Sequence, residues 1–482
     1  MRLWLNEVTF MMRLVSAGLA VAVAAMAADH SSTVTFAKDV LPVLQRNCQS
    51  CHRPGQVAPM SLVSYQEARP WAKAIKSAVT ARKMPPWFAD SNYGHFINDR
   101  SLKQSDIDTL VKWADSGAAE GDPKDAPAPV QWPKGGWTIQ PDVVVDTPPR
   151  EVPAKGVLEW ELIALPSPFK GDTWVTSMEI LPGDASVVHH VCFSFEKHQP
   201  STVYNRYEWV QVPRDETGNP TPGNSGFGEL PGMVIATRDV GSAEVKLRQG
   251  RPTLRQNLDF CYLPGAGPDD YRAWNAAKLV PAGSDLIVSL HYTTNGKAVT
   301  DRTKIGFTVA QSPPAKKFVV QGAGEDTPVI TPTPANERAV FASSYNPEFK
   351  IPPNDGNYLA PPMDITFLKD VEIVRLRPHA HVRGKSAQYK VTYPDGREEI
   401  VLNVPRYDFN WQLSYGTSLK LPKGARLHFE FRYDNSVNNK FNPDPSRWVY
   451  QGFQSWEEMM APNLGFILDR DADVGGLMSV TN

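Results

Sequence analysis

The pentapeptide Cys48-Gln49-Ser50-Cys51-His52 is the most informative stretch of this 482-residue chain. A C-x-x-C-H motif is typical of covalent attachment of a c-type haem, in which both thiols bond the porphyrin and the histidine binds the iron. The alternatives are a redox-active C-x-x-C pair and half of a zinc site. The chain has four cysteines and no second C-x-x-C, which argues against zinc. We therefore expect Cys48, Cys51 and His52 to hold haem c.

The residues around this motif predict a small all-α domain over residues 33–122. Val40 to Leu44 supplies an apolar helical face just before the motif. Ser64-Tyr65-Gln66-Glu67 has the form of a capping box, and Pro70 is expected to delay or kink the helix that follows. Ser105-Asp106-Ile107-Asp108 opens a further helix. Three short helices around a covalent haem would form a cytochrome c domain.

A sixth ligand to the haem iron is expected in the same segment. Met84, in Lys83-Met84-Pro85-Pro86-Trp87, is the first candidate, because paired prolines stiffen an extended loop. Met60 and His95 are the second and third candidates. A methionine ligand would raise the haem potential.

The N-terminus and the composition bear on the compartment. Arg13, the apolar run Leu14 to Met26 and the small residues around Ala27 predict a signal peptide over residues 1–28. This run is shorter than the roughly 20 residues of a spanning helix, so we expect a periplasmic or secreted protein with no membrane span after cleavage. The 50 basic and 52 acidic side chains are balanced, which argues against nucleic acid as a partner.

In an oxidising compartment Cys192 and Cys261 could form a disulfide, although their spacing in the sequence does not decide whether they do.

A proline-rich linker is predicted at residues 123–140, and strand patterns follow it. Val143-Val144-Val145 and residues 174–181 are β-rich, and Pro394-Asp395-Gly396 predicts a hairpin turn. Leu427, Phe429 and Phe431 alternate with polar residues, as in a half-buried strand. We predict two all-β, jelly-roll-like sandwich domains, at residues 141–313 and 314–482.

Five of the ten histidines fall in strand-like contexts after the linker. His379 and His381 are two residues apart and so share a face of a strand, as a metal-binding pair requires. His189 and His190 are adjacent and would face opposite ways, unless a bulge or strong twist turns them together. His291 alone would by default be a core or surface residue.

Together these motifs resemble the type II copper monooxygenases, the family of peptidylglycine α-hydroxylating monooxygenase and dopamine β-monooxygenase. That family uses two β-sandwich domains with one copper each. The resemblance covers residues 140 to 480 and rests on four short motifs in the same order. The N-terminal haem domain is not part of those two enzymes, but the fused arrangement is similar to a group of bacterial exported proteins.

The resemblance implies two copper sites in this chain. His189, His190 and His291 match the ligands of the copper that stores and passes an electron. His379, His381 and Met459, the last in Ser455-Trp456-Glu457-Glu458-Met459, match the ligands of the copper that binds dioxygen. Imidazole with thioether suits cycling between Cu(I) and Cu(II).

The chain also departs from that family. Met460 stands where the family has a cysteine, and Ala461, Asn463 and Gly465 do not reproduce its peptide-gripping groups. Arg377 matches an arginine that binds the substrate carboxylate. The pattern is equally consistent with a solvated arginine on a strand. Peptide amidation and catecholamine chemistry are therefore not carried over.

The expected function is a haem-fused copper monooxygenase that hydroxylates a C–H bond of a small-molecule or peptide substrate with dioxygen. A periplasmic donor would supply electrons through the haem. The alternative is a periplasmic haem and copper electron-transfer protein without a substrate. Its sharpest form places type 1 copper at Cys192 and His190.

Overall fold

The computed structural model describes residues 33–132, 134–211, 234–250, 252–254, 259–264, 267–320, 349–452 and 454–481. The predicted signal peptide lies outside them. The described residues belong to two compact units. The first unit is drawn from Met1–Pro54, Ala58–Pro85 and Leu102–Val130, and the second from Gly55–Val57, Pro86–Ser101 and Gln131–Asn482.

The first unit is helical in its described part. Its α-helices are α1 Leu41–Asn47, α2 Tyr65–Ala68, α3 Ala72–Thr80 and α4 Gln104–Asp115, with a π-helical turn at Phe36–Val40 and 3-10 turns at Arg69–Trp71 and Pro123–Asp125. The predicted capping box is confirmed, since Ser64 and Glu67 exchange side chain to backbone hydrogen bonds at the start of α2. Pro70 falls in the 3-10 turn between α2 and α3, which agrees with the predicted interruption.

The second unit is built of β-strands. Its N-terminal half has β1 Val143–Asp146, β2 Arg150–Val152, β3 Glu161–Pro166, β4 Thr173–Leu181, β5 Val188–Lys197, β6 Arg206–Val210, β7 Val234–Asp239, β8 Lys246–Gln249, β9 Phe260–Tyr262, β10 Asp269–Asp270, β11 Ala276–Val280, β12 Ser284–Tyr292, β13 Val299–Asp301 and β14 Lys304–Val309. Its C-terminal half has β15 Lys316–Val320, β16 Lys350–Ile351, β17 Tyr358–Leu359, β18 Met363–Phe367, β19 Val371–Leu376, β20 Gly384–Thr392, β21 Glu398–Val404, β22 Tyr415–Leu421, β23 Arg426–Tyr433, β24 Val449–Tyr450, β25 Leu464–Asp469 and β26 Met478–Thr481. Single 3-10 turns lie at Lys134–Gly136 and Arg272–Trp274.

Three large sheets carry most of these strands. A seven-stranded sheet has the order β8-β7-β6-β3-β12-β5-β9, and a six-stranded sheet is built on β21-β20-β23-β18-β26. A nine-stranded sheet has the order β1-β14-β4-β11-β15-β25-β19-β22, with β10 on β4. Apolar side chains of the nine-stranded sheet pack against the seven-stranded sheet in one core and against the six-stranded sheet in another. The predicted β-sandwich layering is therefore present, and the jelly-roll connectivity stays a prediction.

The nine-stranded sheet crosses the predicted boundary at residues 313 and 314. β15 pairs in parallel with β11 and antiparallel with β25, so one sheet serves both halves. The ring of Phe318 in β15 stacks on Tyr271 with centroids 4.1 Å apart, and Arg375 forms an ion pair with Asp269. These contacts, together called the seam below, join the two halves.

Several local expectations are confirmed. β20 and β21 form the predicted hairpin, and Gly396 in its turn has φ +87°, which favours glycine. In β23, Leu427, Phe429 and Phe431 are buried and alternate with more exposed residues. Among the described residues, no helix combines the length and the apolar character needed to cross a bilayer.

Candidate functional site

A β-bulge positions the adjacent histidines. In β5 the chain reads Val188-His189-His190, and His190 pairs with His291 of β12. The next residue of β12, Tyr292, pairs with Val188, so His189 is an extra residue in the ladder. The bulge meets the condition under which neighbouring histidines can face one ion.

The imidazoles of His189, His190 and His291, here called the first cluster, could share a metal ion. One candidate ligand atom from each lies within 4.8 Å of the others. Nδ1 of His189 is 3.0 Å from Nδ1 of His190. Nδ1 of His291 is buried and has no hydrogen-bond partner among the described residues. Because an unpartnered buried nitrogen is costly unless something satisfies it, the cluster fits a metal ion.

The indole of Trp160 covers the first cluster. Its ring centroid lies 4.7 Å from that of His190, edge to face, and 6.4 Å from that of His291. The indole therefore restricts the access of water to these two imidazoles.

The second cluster consists of His379, His381 and Met459. His379 and Ala461 exchange backbone hydrogen bonds of 2.9 and 3.0 Å, which brings the segment with Met459 alongside the histidine pair. The Sδ atom of Met459 lies 3.3 Å from Nε2 of His379. The ring centroids of His379 and His381 are 5.2 Å apart. The structure thus gathers the three side chains that the resemblance assigned to one copper.

The Nδ1 atoms of both histidines are held by carbonyl oxygens. Nδ1 of His379 lies 2.5 Å from the side-chain oxygen of Gln412, and Nδ1 of His381 lies 3.1 Å from the backbone oxygen of Glu457. A carbonyl accepts only from a protonated nitrogen, so both rings carry the proton on Nδ1. Nε2 of His379 then keeps a free lone pair, as in histidines oriented for a metal ion.

The carboxylate of Glu458 ties the second cluster together. It accepts hydrogen bonds from the backbone N–H groups of His381 at 2.7 Å, Arg383 at 2.6 Å and Met459 at 3.3 Å. The side chain is fully buried, and burial raises the pKa of Glu458 to about 7, although the charge of Arg383 acts in the opposite direction. One acidic group therefore fixes the backbone beside two of the three candidate ligands.

All five imidazoles are neutral near pH 7. Burial lowers the pKa of His189 and His379 to about 4 and that of His291 to about 3. Burial also lowers the pKa of His190 and His381 well below the ordinary value, and neighbouring imidazoles add to the effect. Since only a neutral imidazole offers a lone pair to a metal ion, both clusters are electrostatically prepared to bind one.

The two clusters open into one pocket. The residues that line it are His190, His291, His379, His381, Trp160, Phe409, Gln454 and Ser455. The ring of Phe409 stacks on His189 with centroids 4.7 Å apart and meets the ring of His381 edge to face at 6.0 Å. A single aromatic side chain therefore contacts both clusters.

The haem motif is a turn that follows α1. Cys48 and Cys51 are both free thiols, and Nδ1 of His52 lies 3.2 Å from the backbone oxygen of Met60. This hydrogen bond leaves Nε2 of His52 as the nitrogen for an axial ligand. Burial raises the pKa of the Cys48 thiol to about 12, and Cys51 adds to the shift. The turn thus holds both thiols and His52 in one segment, and covalent haem attachment there stays a prediction.

The candidates for the sixth ligand fall in different places. Met60 lies behind the His52 ring, on the Nδ1 side, because its carbonyl binds that nitrogen. Met60 stays the second candidate for the sixth ligand. Met84 belongs to the first unit with the motif, and His95 belongs to the second. Met84 as the sixth ligand stays a prediction.

Arg377 is buried, with 5% of its surface exposed, and burial lowers its pKa to about 10. Its backbone N–H donates to the carbonyl of Asn463. Arg377 is not among the described residues that line the pocket. Its predicted contact with a substrate carboxylate therefore stays a prediction.

Cys192 and Cys261 form a disulfide between β5 and β9. The pairing that spacing alone left open is therefore present. A disulfide sulfur cannot serve as a thiolate ligand, so the structure argues against type 1 copper at Cys192 and His190.

Several residues of the site were missed from the sequence. They are Trp160, Tyr407, Phe409, Gln412, Gln454, Ser455 and Glu458. Ser455 and Glu458 had a sequence signal, since both lie in the segment that carries the predicted ligand Met459. The others come from loops whose proximity to the histidines depends on the fold.

Comparisons with known proteins give no family for this chain. No family model and no curated protein matches it. Among solved structures, T=1 particles derived from infectious bursal virus share 9% identity over 71% of this chain and 73% of theirs, with a TM-score of 0.18. The Gx strain of infectious bursal disease virus shares 7% over 73% and 78%, with a TM-score of 0.18. The VP2 subviral particle of that virus shares 11% over 71% and 76%, with a TM-score of 0.17. Scores this low establish neither a shared fold nor a function.

Proposed function

We propose that the second unit is a copper-dependent monooxygenase and that the first unit is a c-type cytochrome that supplies its electrons. The reaction is hydroxylation of a substrate C–H bond with dioxygen. Each turnover consumes two electrons and two protons, places one oxygen atom in the product and releases the other as water. The chain would work outside the cytoplasm, where c-type haems are attached and the disulfide is stable.

The donor atoms of both clusters support this assignment. His189, His190 and His291 would hold one copper, and His379, His381 and Met459 the other. Three imidazoles alone would also suit zinc, but a thioether favours copper because it stabilises Cu(I). Bound copper supplies one-electron redox chemistry and the activation of dioxygen.

The protein contributes orientation, a dry pocket and proton placement. Gln412 and the carbonyl of Glu457 hold the rings of the histidine pair through their Nδ1 atoms, and both histidines line the pocket. Trp160 and Phe409 line the pocket with apolar surface and reduce the access of water. Cys48 and Cys51 would anchor the haem, and His52 would bind its iron.

The approach of Met459 to His379 is the observation that carries the proposal. Its Sδ atom and Nε2 of His379 are 3.3 Å apart. With the ring proton on Nδ1, both atoms are acceptors and no hydrogen lies between them. Both atoms can then offer a lone pair to one ion bound beside them, and an imidazole with a thioether suits a soft cation.

The metal content of the mature protein, purified with its haem and loaded with copper, tests the proposal. We expect one iron and two coppers per chain. Met459→Leu should lose one copper and the Cu–S signal in X-ray absorption, with the haem retained. Met460→Leu is the matched control, because Met460 is also buried and adjacent in sequence but packs in the hydrophobic core. Two coppers in Met459→Leu would overturn the assignment.

Oxygen labelling separates the enzyme from the alternative, an electron-transfer protein. A monooxygenase transfers one atom of labelled dioxygen into a product when the reduced, copper-loaded protein is supplied with small C–H compounds. An electron relay reoxidises its metals and yields no labelled product.

A further inference from the structure

The loop between β21 and β22 reaches both clusters. We call residues Tyr407 to Gln412 the bridging loop. Three of its side chains, those of Tyr407, Phe409 and Gln412, contact the candidate ligands or the residue between them. The histidine motifs gave no sign of this loop.

Tyr407 holds the backbone of the histidine pair. Its hydroxyl donates to the carbonyl of Ala380 at 2.7 Å and accepts from the N–H of Ala380 at 3.1 Å. Ala380 lies between His379 and His381, so one buried hydroxyl satisfies both backbone groups at the centre of the pair. The two histidines are fixed to the bridging loop at this point.

Gln412 holds the ring of His379. The residue has φ +39°, a left-handed conformation that a non-glycine residue keeps only where its surroundings impose it. Its N–H donates to the carbonyl of Asp408 within the loop, and its side-chain oxygen lies on Nδ1 of His379. The loop conformation and the orientation of His379 are therefore linked.

Phe409 extends the loop to the first cluster. Its ring stacks on His189 at 27° between planes and contacts His381 at 73°. Phe409 is half-buried at the pocket wall, and its ring contacts an imidazole on each side, so a turn of either imidazole changes the space open to the ring. Fixing His189 therefore restricts Phe409, and Phe409 restricts His381.

We propose that Phe409 is a positioning residue that couples the two clusters, so that metal bound at the first cluster increases metal affinity at the second. The inference rests on the two-copper function proposed above. Metal binding at either cluster requires His189, Phe409 and His381 to be held in place. The first metal meets the entropic cost of this ordering, so the second metal binds more favourably and the coupling is positive. Couplings of this kind are about 5- to 150-fold.

Anaerobic Cu(I) titration of the full-length holoprotein against a chromophoric chelator tests the coupling. The affinity of the second cluster is measured with the first cluster intact and with it disabled by His190→Ala. His190 is chosen because its ring contacts are with Trp160, His189 and His291 and not with Phe409. We expect the second cluster of the unmodified protein to bind about tenfold more tightly when the first is intact.

The same pair of measurements is then made in Phe409→Leu. Leucine keeps apolar bulk but loses the stacked ring, so the ratio of affinities should fall to near one. Phe409→Tyr keeps the aromatic ring and should keep the ratio of affinities. A preserved ratio in this variant shows that substitution at this position does not by itself abolish the coupling through misfolding. Phe441→Leu, at an exposed phenylalanine whose one described ring contact is with Lys440, is the matched control.

The outcomes distinguish the two proposals. Two coppers bound with an unchanged ratio in Phe409→Leu would overturn the coupling and leave the proposed function standing. Fewer than two coppers in the unmodified protein would overturn both. A ratio that falls in Phe409→Leu and also in Phe441→Leu would count against a specific role for Phe409.

Discussion

The carboxylate of Glu458 accepts a hydrogen bond of 2.7 Å from the backbone N–H of His381, 77 residues away in sequence. The same carboxylate binds the N–H of Arg383 and that of Met459. A buried acidic group with three backbone donors thus connects the two chain segments that supply the second cluster.

Replacing Glu458 should damage both stability and metal binding. Glu458→Ala leaves buried N–H groups unsatisfied, which costs about 1–3 kcal/mol of unfolding free energy. Denaturant titration measures this loss, and metal analysis should show one copper instead of two. Glu399→Gln, at an exposed carboxylate, is the control. A Glu458→Ala protein with normal stability and two coppers would contradict this role.

Gln412 should set the copper affinity of the second cluster through His379. Gln412→Leu removes the acceptor for Nδ1–H, so the ring of His379 can turn or change tautomer. Loss of such a supporting hydrogen bond typically weakens metal binding about 10- to 100-fold. Cu(I) competition titration measures the effect. Gln412→Glu retains an acceptor oxygen and should restore most of the affinity; equal losses in both variants would refute the mechanism.

His428 should make stability depend on pH. Partial burial lowers the pKa of His428, but hydrogen bonds to Asp364 and Glu430 outweigh burial, and the net pKa is raised. Lys390 is its cross-strand neighbour on β20. The stabilisation is complete below about pH 6.5, the ordinary pKa of histidine, and is lost as the pH rises through the raised pKa.

His428→Gln tests this pH dependence. The difference in urea midpoint between the unmodified protein and the variant should be largest near pH 5.5 and should vanish at alkaline pH. A difference that does not change with pH would show that the ion pairs contribute nothing.

The disulfide should stabilise the second unit. Cys192 and Cys261 are 69 residues apart, and removing a native disulfide of a small domain typically costs about 2–5 kcal/mol. Cys192→Ala with Cys261→Ala should therefore lower the unfolding midpoint, with the haem content unchanged. Reductant should shift the midpoint of the unmodified protein and leave that of the double variant where it was. Identical responses to reductant would argue against the bond.

Much of the local structure was predictable. The capping box at Ser64, the hairpin at Gly396 and the alternation around Phe429 are encoded within a few residues, and the structure has all three. The histidine motifs could be found in the same way, because ligand pairs at short spacing leave a local pattern.

The remaining features depend on contacts between distant segments. His189 and His190 face one site only because β12 pairs with a bulged β5, and β-strand spacing alone predicts opposite directions. Phe409 and Gln412 have no ligand-like spacing, so their positions beside His381 and His379 become visible only in the fold. The sheet that crosses residues 313 and 314 was missed because its pairing partners are far apart in sequence.

The seam has a mechanical consequence. Pulling the two halves of the second unit apart would break the hydrogen bonds between β11 and β15 and unstack Phe318 from Tyr271. A hinge opening of the pocket is therefore disfavoured, and the separation of the two clusters is set by the fold. Reactants would then enter by movement of the loops at the edge of the pocket, without rotation of one half relative to the other.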